Sequence, residues 1–329
     1  MAGAPEDFVL AVDIGGGSVK LALTNSAADD VRSSLVDNVA AYDGDALLNE
    51  IGRHALSMRE MVQRQGGHII GAAIGVPGFV SSDGRASSNS NVPALDGIDL
   101  VDYFGARLGC SIKLENDANL AAIGEWAFGP SKSVSRFLMV TLGTGIGVAL
   151  LDRGTPVNIV AGTLGDAGHV IVDGTGARSC RLGCRGCLES VASGVALIEI
   201  AQELGDQLPQ SGLGDLRRKR TLIGGAEIAG LAAMGDEVVL SMLSHLGYWL
   251  GLGLASYVNL FAPDVIHIGG GLSQLRRYLE ASTIEAMNRS RIKNRVGPQT
   301  VLFSSAFDRA AARGAAAMFF SKSGHAHAE

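Results

Sequence analysis

No stripe of Lys or Arg runs through this chain, and its 27 basic residues are outnumbered by 33 acidic ones, leaving a formal charge of −6. A nucleic-acid partner needs basic side chains ranged along a phosphate backbone, so none is expected. The one local basic run, Arg217-Arg218-Lys219-Arg220, reads as a solvated loop. The N-terminus, Met1-Ala2-Gly3-Ala4-Pro5-Glu6-Asp7, is acidic and lacks the apolar core of a secretory signal. Cysteines are few, four in 329 residues, and three of them cluster. Clustered reduced thiols suit a cytoplasmic protein better than a disulfide framework does. Formal charge is missing altogether from residues 238–261, a stretch of 24 long enough to cross a bilayer. Its flanks, Asp236, Glu237 and Asp264, offer no Lys or Arg to anchor it, and Ser241, Ser244, His245 and Asn259 interrupt it. Gly247, Gly251, Gly253 and Ala255 leave one side small enough for close packing. The expectation is a buried core helix and no membrane.

What the chain does have is apolar mass and glycine. At 47% hydrophobic and 18% charged it is long enough for two compact domains, each with its own core. Its 45 glycines fall in bursts at 15–17, 143–147 and 269–271, at the ends of apolar runs, which points to backbone approaching a ligand. The first burst joins the apolar runs 8–12 and 19–23, giving a strand, a glycine turn and a strand whose amides can face an anion. Asp13 precedes Gly15, Gly16 and Gly17; Ser18 and Lys20 follow. The second joins 137–142 to 148–151 through Gly143-Thr144-Gly145-Ile146-Gly147. One module used twice suggests two similar domains, each presenting one phosphate-binding hairpin to a shared cleft; the plainer alternative is two unrelated hairpins. The third burst, Gly269-Gly270-Gly271, follows the short strand 265–268 and precedes a helix start, a turn that can lie flat beneath a nucleotide. His267, inside that strand, reads as a core histidine.

Between the hairpins, Lys113-Leu114-Glu115-Asn116-Asp117-Ala118-Asn119 leads from a strand into apolar residues at helical spacing. Asp117 sits at the transition, where a carboxylate serves as a helix cap or as a base aimed into a cleft. Upstream, the buried strand 69–74 leads to Gly75-Val76-Pro77-Gly78, and Asn89 and Asn91 occupy a polar loop. Both segments are candidates to line a hydroxyl-rich ligand, although loop asparagines also bond their own backbone.

Gly165-Asp166-Ala167-Gly168-His169, followed by Cys180, Cys184, Cys187 and Glu189, places a candidate metal cluster among candidate sugar-binding side chains. Three thiols within eight residues and one histidine supply the four ligands that tetrahedral zinc needs. A loop pinned by metal would hold Asp166 and Glu189 in place to accept hydrogen bonds from hydroxyls. The alternative is a glycine-rich loop with incidental cysteines. Cys110, between apolar residues, reads as a small buried side chain.

Together these motifs resemble the ROK family of sugar kinases and related repressors, over nearly the whole chain. The resemblance rests on the Asp13 turn with Lys20, Gly75-Val76-Pro77-Gly78, Glu115 to Asn119, Leu142 to Gly147, Gly165 to His169, the Cys180–Glu189 segment, Ile268 to Gly271 and Arg313-Gly314-Ala315-Ala316, in that order. It implies an α/β, two-lobed actin-like (ribonuclease H-like) fold with an interlobe cleft. Residues 1–116 would form a small lobe completed by a C-terminal helix at about 306–322, and 117–305 a large lobe carrying the His/Cys loop. It implies ATP and Mg²⁺ at Asp13, Gly15, Gly16, Gly17, Ser18, Lys20, Gly143, Thr144, Gly145, Gly269, Gly270 and Gly271. Asp117 would be the general base, and Asn91, Asn116, Asp166, His169 and Glu189 would hold the sugar. Structural Zn²⁺ would sit on His169, Cys180, Cys184 and Cys187, and the protein would be a homodimer. The implied reaction is phosphorylation of glucose at its 6-hydroxyl by ATP. Alternatives are another hexose or N-acetylhexosamine (mannose, N-acetylmannosamine, fructose, allose), a polyphosphate donor, or a non-catalytic sugar-sensing regulator. Family repressors carry a DNA-binding module ahead of the first glycine turn, and twelve residues precede Asp13 here.

The chain departs from the family pattern at three places. Gly17 stands where threonine is usual, Asp166 where glutamate is usual, and Leu182 at the second cysteine of Cys-x-Cys-Gly-x-x-Gly-Cys-x-Glu. For zinc to bind through Cys184, the loop between Cys180 and Cys187 has to fold differently.

Overall fold

The computed structural model describes residues 6–81, 84–87, 92–132, 134–160, 162–293, 299–304 and 307–320. In chain order its elements are β1 (Asp7–Ile14), β2 (Ser18–Thr24), β3 (Asp30–Asp37), α1 (Gly44–Arg64), β4 (His68–Val76), β5 (Phe79–Val80), β6 (Ala86–Ser87), α2 (Leu100–Leu108), β7 (Ser111–Asn116) and α3 (Asp117–Phe128). Then come β8 (Arg136–Leu142), β9 (Ile146–Asp152), β10 (Thr155–Pro156), α4 (Leu188–Ala192), α5 (Gly194–Gln207), α6 (Gly212–Arg218), α7 (Gly225–Ala233), α8 (Glu237–Phe261), β11 (Val265–Gly269), α9 (Arg276–Ser290), β12 (Thr300–Phe303) and α10 (Ala310–Phe320). The chain forms two compact units, one from segments 1–139, 149–165 and 306–329, the other from 140–148 and 166–305.

The first unit is built on a five-stranded sheet of order β3-β2-β1-β4-β7. β1, β2 and β3 pair antiparallel, and β4 and β7 add in parallel. Strand alternation sends Leu10, Val12 and Ile14 to one face, where α1 and α2 supply Leu47, Ile51, Leu100 and Phe104. Val9 and Ala11 go to the other face, against Leu120 of α3 and Ala312 and Ala315 of α10. That second layer is thin because α3 and α10 touch backbone to backbone: a Cβ at Gly124 would overlap Ala310 O, and one at Gly314 would overlap Leu120 O. Glu125, 2% exposed, pairs there with Arg313 at 3.3 Å. A buried carboxylate without that partner would be costly.

A second five-stranded sheet has the order β10-β9-β8-β11-β12. It repeats the pattern of the first, a run of consecutive strands followed by two reached through crossovers, so the recurrence read from the glycine hairpins is a recurrence of sheet architecture. In the second unit α8 lies along α9. It is long and apolar enough to cross a membrane by composition, but it buries residues along its whole length, from Val239 to Val258. Its glycines explain how: a Cβ at Gly247 would sit 2.6 Å from Leu279 O, and one at Gly251 would overlap Thr283 O. Small residues facing a neighbouring helix make α8 a core helix of its unit.

Candidate active site

In the first unit the sheet register gathers carboxylates. Asp13 pairs with Gly75 of β4, and Gly75 pairs with Glu115 of β7. A Cβ at Gly75 would lie 3.5 Å from the Cα of Asp117 and 3.8 Å from Asp13 Oδ1, so Gly75 is the bare floor between two acids. The cap of α3 is Asn116 and not Asp117. Asn116 Oδ1 accepts from the amides of Ala118 (3.0 Å) and Asn119 (3.2 Å), while its Nδ2 donates to Gly78 O (3.0 Å). Asp117, the first helical residue, accepts from Ala118 N–H at 2.8 Å and from its own amide. Burial and the charge of Asp13 raise its pKa to about 7, against the pull of those amide bonds. Burial also raises the Asp13 pKa, opposed by Lys20, its partner across the hairpin.

Glu115 and Asn119 were not read from the sequence as site residues, yet they form the frame around Asp117. Glu115 Oε1 accepts from Asn116 N–H and from Asn119 Nδ2, both at 2.9 Å. Asn119, 1% exposed, also donates to Gly162 O at 2.9 Å. A buried amide with several partners is rigid. The visible signal was the pair of polar residues flanking Asn116-Asp117 inside an otherwise apolar stretch.

The first glycine turn is closed by Gly15 N–H donating to Ser18 O at 3.0 Å. Nothing lies within 4 Å of where a Cβ on Gly17 would be. Ser18 is half-buried and Lys20 exposed.

In the second unit the other glycine turn is occupied by a side chain. Glu189, near the start of α4, accepts from Ile146 N–H at 3.0 Å through Oε2, and a Cβ at Gly145 would overlap that oxygen. Gly143 N–H closes the turn onto Gly145 O at 3.0 Å, and Gly143 O accepts from Gly194 N–H at 2.8 Å. Gly270, at φ +87°, packs against the Leu142 backbone, where a Cβ would overlap Leu142 O; Gly269 ends β11, and Gly271 stands clear. The third burst thus supports the hairpin as well as offering bare backbone.

His169 links this hairpin to the thiols. Its Nδ1 lies 3.2 Å from Cys184 Sγ and 3.5 Å from Cys180 Sγ, and its Nε2 lies 4.0 Å from Glu189 Oε1. One ligand atom from each of His169, Cys180, Cys184 and Cys187 falls within 4.8 Å of all the others. Tetrahedral zinc with Zn–S near 2.3 Å sets its sulfurs about 3.8 Å apart, so the donor set fits structural zinc. The altered loop is now explained. Cys180 N–H donates to Cys184 O and Gly183 N–H to Cys180 O, both at 3.0 Å, with Gly183 at φ +88° and Ser179 bridged to Arg185. This narrow hairpin carries Leu182 outward at its tip, 54% exposed, and returns Cys184 beside Cys180, Sγ to Sγ 3.2 Å. Cys187 comes back through a bridge with Ile171. Asp166 is exposed at the head of the 3-10 turn Ala167–His169 and its side chain does not cap that turn. Asn89 and Asn91 lie outside the described residues.

The structure therefore brings together Asp13, Gly75, Asn116 and Asp117 in one unit, and Gly145, His169, Glu189 and the thiols in the other. Known proteins resemble this chain in sequence and fold. A glucokinase of Halalkalibacterium halodurans is 31% identical over 274 residues, 81% of each chain. A solved structure of a ROK family glucokinase from Streptomyces griseus, in complex with glucose and AMPPNP, superposes with a TM-score of 0.82 at 26% identity, covering 94% of this chain and 98% of that one. A xylose repressor of Bacillus spizizenii is 29% identical over 70% of this chain but only 54% of its own length. The ROK family model matches residues 9–322, and the chain belongs to that family, in its actin-like, two-unit α/β fold.

Proposed function

We propose that the protein transfers the γ-phosphoryl group of ATP to the 6-hydroxyl of glucose. The observation that carries this reading is Asp117. Asn116 relieves it of capping, Gly75 and Asp13 flank it, and its pKa of about 7 places it where a general base works best near neutral pH. Asp117 takes the hydroxyl proton as the new bond to phosphorus forms. Phosphoryl transfer asks little else of a protein than positioning and charge stabilisation.

The sugar contacts follow from what is left unsatisfied. Asn116 keeps one amide hydrogen to donate. The 4.0 Å gap between His169 Nε2 and Glu189 Oε1 is too long for a direct hydrogen bond and is spanned by one hydroxyl oxygen. Asp166 supplies an exposed carboxylate beside them, and Asn91 is the outer contact. The glycine turns 15–18 and 143–145 hold the phosphates of ATP through the amides that do not close the turns themselves, with Lys20 near the first turn and 269–271 against the nucleoside. Asp13, a carboxylate raised by burial and adjacent to a second acid, offers the hard oxygen that Mg²⁺ prefers, and the ion when bound neutralises phosphate charge. The zinc has no part in the chemistry; it pins the loop that carries His169. The working form is a cytoplasmic homodimer.

The test is ADP release from protein, MgATP and a panel of glucose, mannose, fructose, allose and the N-acetylhexosamines, repeated with polyphosphate as donor. Preference for glucose with ATP supports the reading, and another preferred sugar or donor corrects it. The similarity to a xylose repressor favours a second reading, a sugar sensor, which would bind sugar in calorimetry and release no ADP.

A further inference from the structure

Tyr257 lies in α8 with 1% of its surface exposed, its ring stacked on Phe261 at 6.4 Å between centroids. Phenylalanine would fill the same apolar volume. A buried phenol hydroxyl is costly unless bonded, and this one donates to Ala167 O at 2.6 Å. Ala167 opens the 3-10 turn that ends in His169, with Asp166 immediately before it. From the other side the turn is pressed onto the second glycine hairpin, where a Cβ at Gly168 would overlap Ile146 O. A three-residue turn has little rigidity of its own, because it closes on a single amide bond at each step, His169 N–H to Asp166 O and Val170 N–H to Ala167 O. Among the described residues, Tyr257 ties it by a side-chain hydrogen bond to the long core helix.

We infer that Tyr257 is a positioning residue: its hydroxyl holds the 167–169 turn so that His169 presents Nδ1 to the metal thiols and Nε2, beside Glu189, to the sugar. The metal half stands on the His/Cys cluster; the sugar half rests on the kinase reading above. Neither depends on contact between Tyr257 and a ligand. Groups that orient a metal-binding histidine typically change metal affinity or activity about 10–100-fold when removed.

The experiment compares zinc-loaded full-length wild type, Tyr257→Phe and Phe261→Leu. Three quantities are read: the rate at which zinc passes to a chromophoric chelator, the KM for glucose against that for ATP, and the melting temperature. Tyr257→Phe is expected to release zinc about 10-fold faster and to raise the glucose KM about 10-fold, at the lower end of that range. The ATP KM should stay within about two-fold, since the lost bond concerns the sugar side. Phe261→Leu disturbs the same helix without touching the hydroxyl and should match wild type in zinc release and glucose KM. A Tyr257→Phe protein that only melts earlier, with zinc release and glucose KM unchanged, overturns the inference. So does a Phe261→Leu protein that behaves like Tyr257→Phe, or a wild type that takes up no zinc. Should glucose prove not to be phosphorylated, the kinase reading fails on its own, and zinc release still decides the role of Tyr257.

Discussion

Asp13 raises the pKa of Asp117: after burial, its charge is the larger of the influences that bring the Asp117 carboxyl to about 7. The two acids belong to different elements, the end of β1 and the start of α3, and meet over Gly75 because β4 lies between β1 and β7 in the sheet. A base tuned by a neighbour has two consequences for pH. Turnover should rise with pH through about 7 as Asp117 loses its proton, and Asp13→Asn should move this acid limb of kcat/KM for glucose to lower pH while lowering its height. Burial persists in the variant, so the limb should stay above the ordinary carboxylate range. A limb that does not move means Asp117 does not sense Asp13.

Stability carries the opposite sign. Between the ordinary 3.8 and about 7 the folded protein holds a proton on Asp117 that the unfolded chain releases, so stability is lost as pH rises across that window. Asp117→Asn removes the loss. In metal-free buffer it should melt higher than wild type at pH 8 and converge with it near pH 4, while turnover falls by roughly 10²–10⁴, as for a lost general base. Thermal melts at the two pH values and an ADP-release assay check both halves; near wild-type turnover would remove Asp117 from catalysis.

The metal loop gives the next expectation. Cys184→Ser should leave less than one zinc per chain by elemental analysis, because it removes the sulfur 3.2 Å from both His169 Nδ1 and Cys180 Sγ. Leu182→Cys on that background restores the usual family cysteine at the wrong place, at the exposed tip of a hairpin closed by Gly183. It should not restore zinc. Recovery of a full zinc complement would show that the loop can be re-registered.

Some of this was legible in the sequence and some was not, for physical reasons. The paired hairpins announced themselves through apolar runs broken by glycine, a pattern set by local chemistry. α8 was separable from a membrane span because it lacks basic flanks and carries Gly247 and Gly251, which the helix pair with α9 requires. The cap of α3 was not legible to the residue. Asn116 and Asp117 are both good caps, and only the strand register placing Asn116 beside Gly78 decides between them. The turn 180–184 was likewise closed to spacing arguments, since its register depends on a left-handed Gly183 that other spacings would equally permit.

Gly17 is a departure that the structure leaves room to reverse. Its φ is not left-handed, and a Cβ there meets nothing within 4 Å. Gly17→Thr should fold normally and melt slightly higher through reduced freedom of the unfolded chain, by roughly 0.4–1 kcal/mol. A hydroxyl at the first phosphate turn should lower the KM for ATP by about 10-fold, the worth of one hydrogen bond to a charged group. The glucose KM should be unaffected. An unchanged ATP KM would mean that the amides alone serve the phosphates.

Two glycines of the second hairpin should separate sugar from nucleotide. At Gly145 a Cβ would overlap Glu189 Oε2, the oxygen that accepts from Ile146 N–H, so Gly145→Ala must displace the Glu189 carboxylate. At Gly143 a Cβ meets no protein atom within 4 Å and projects only into space assigned to phosphate. Displacing Glu189 shifts the carboxylate that shares a sugar hydroxyl with His169, and a misaligned charge-assisted hydrogen bond of about 1.5–3 kcal/mol raises the glucose KM by about 10–100-fold. Gly143→Ala should instead raise the ATP KM and leave glucose affinity alone. Gly143→Ala should melt near wild type, since that glycine has no left-handed φ, whereas Gly145→Ala gives up the Glu189–Ile146 hydrogen bond and should melt somewhat lower. Steady-state KM values for glucose and ATP in the two variants decide the assignment: if Gly145→Ala acts on ATP alone, Glu189 belongs to the phosphate turn and not to the sugar.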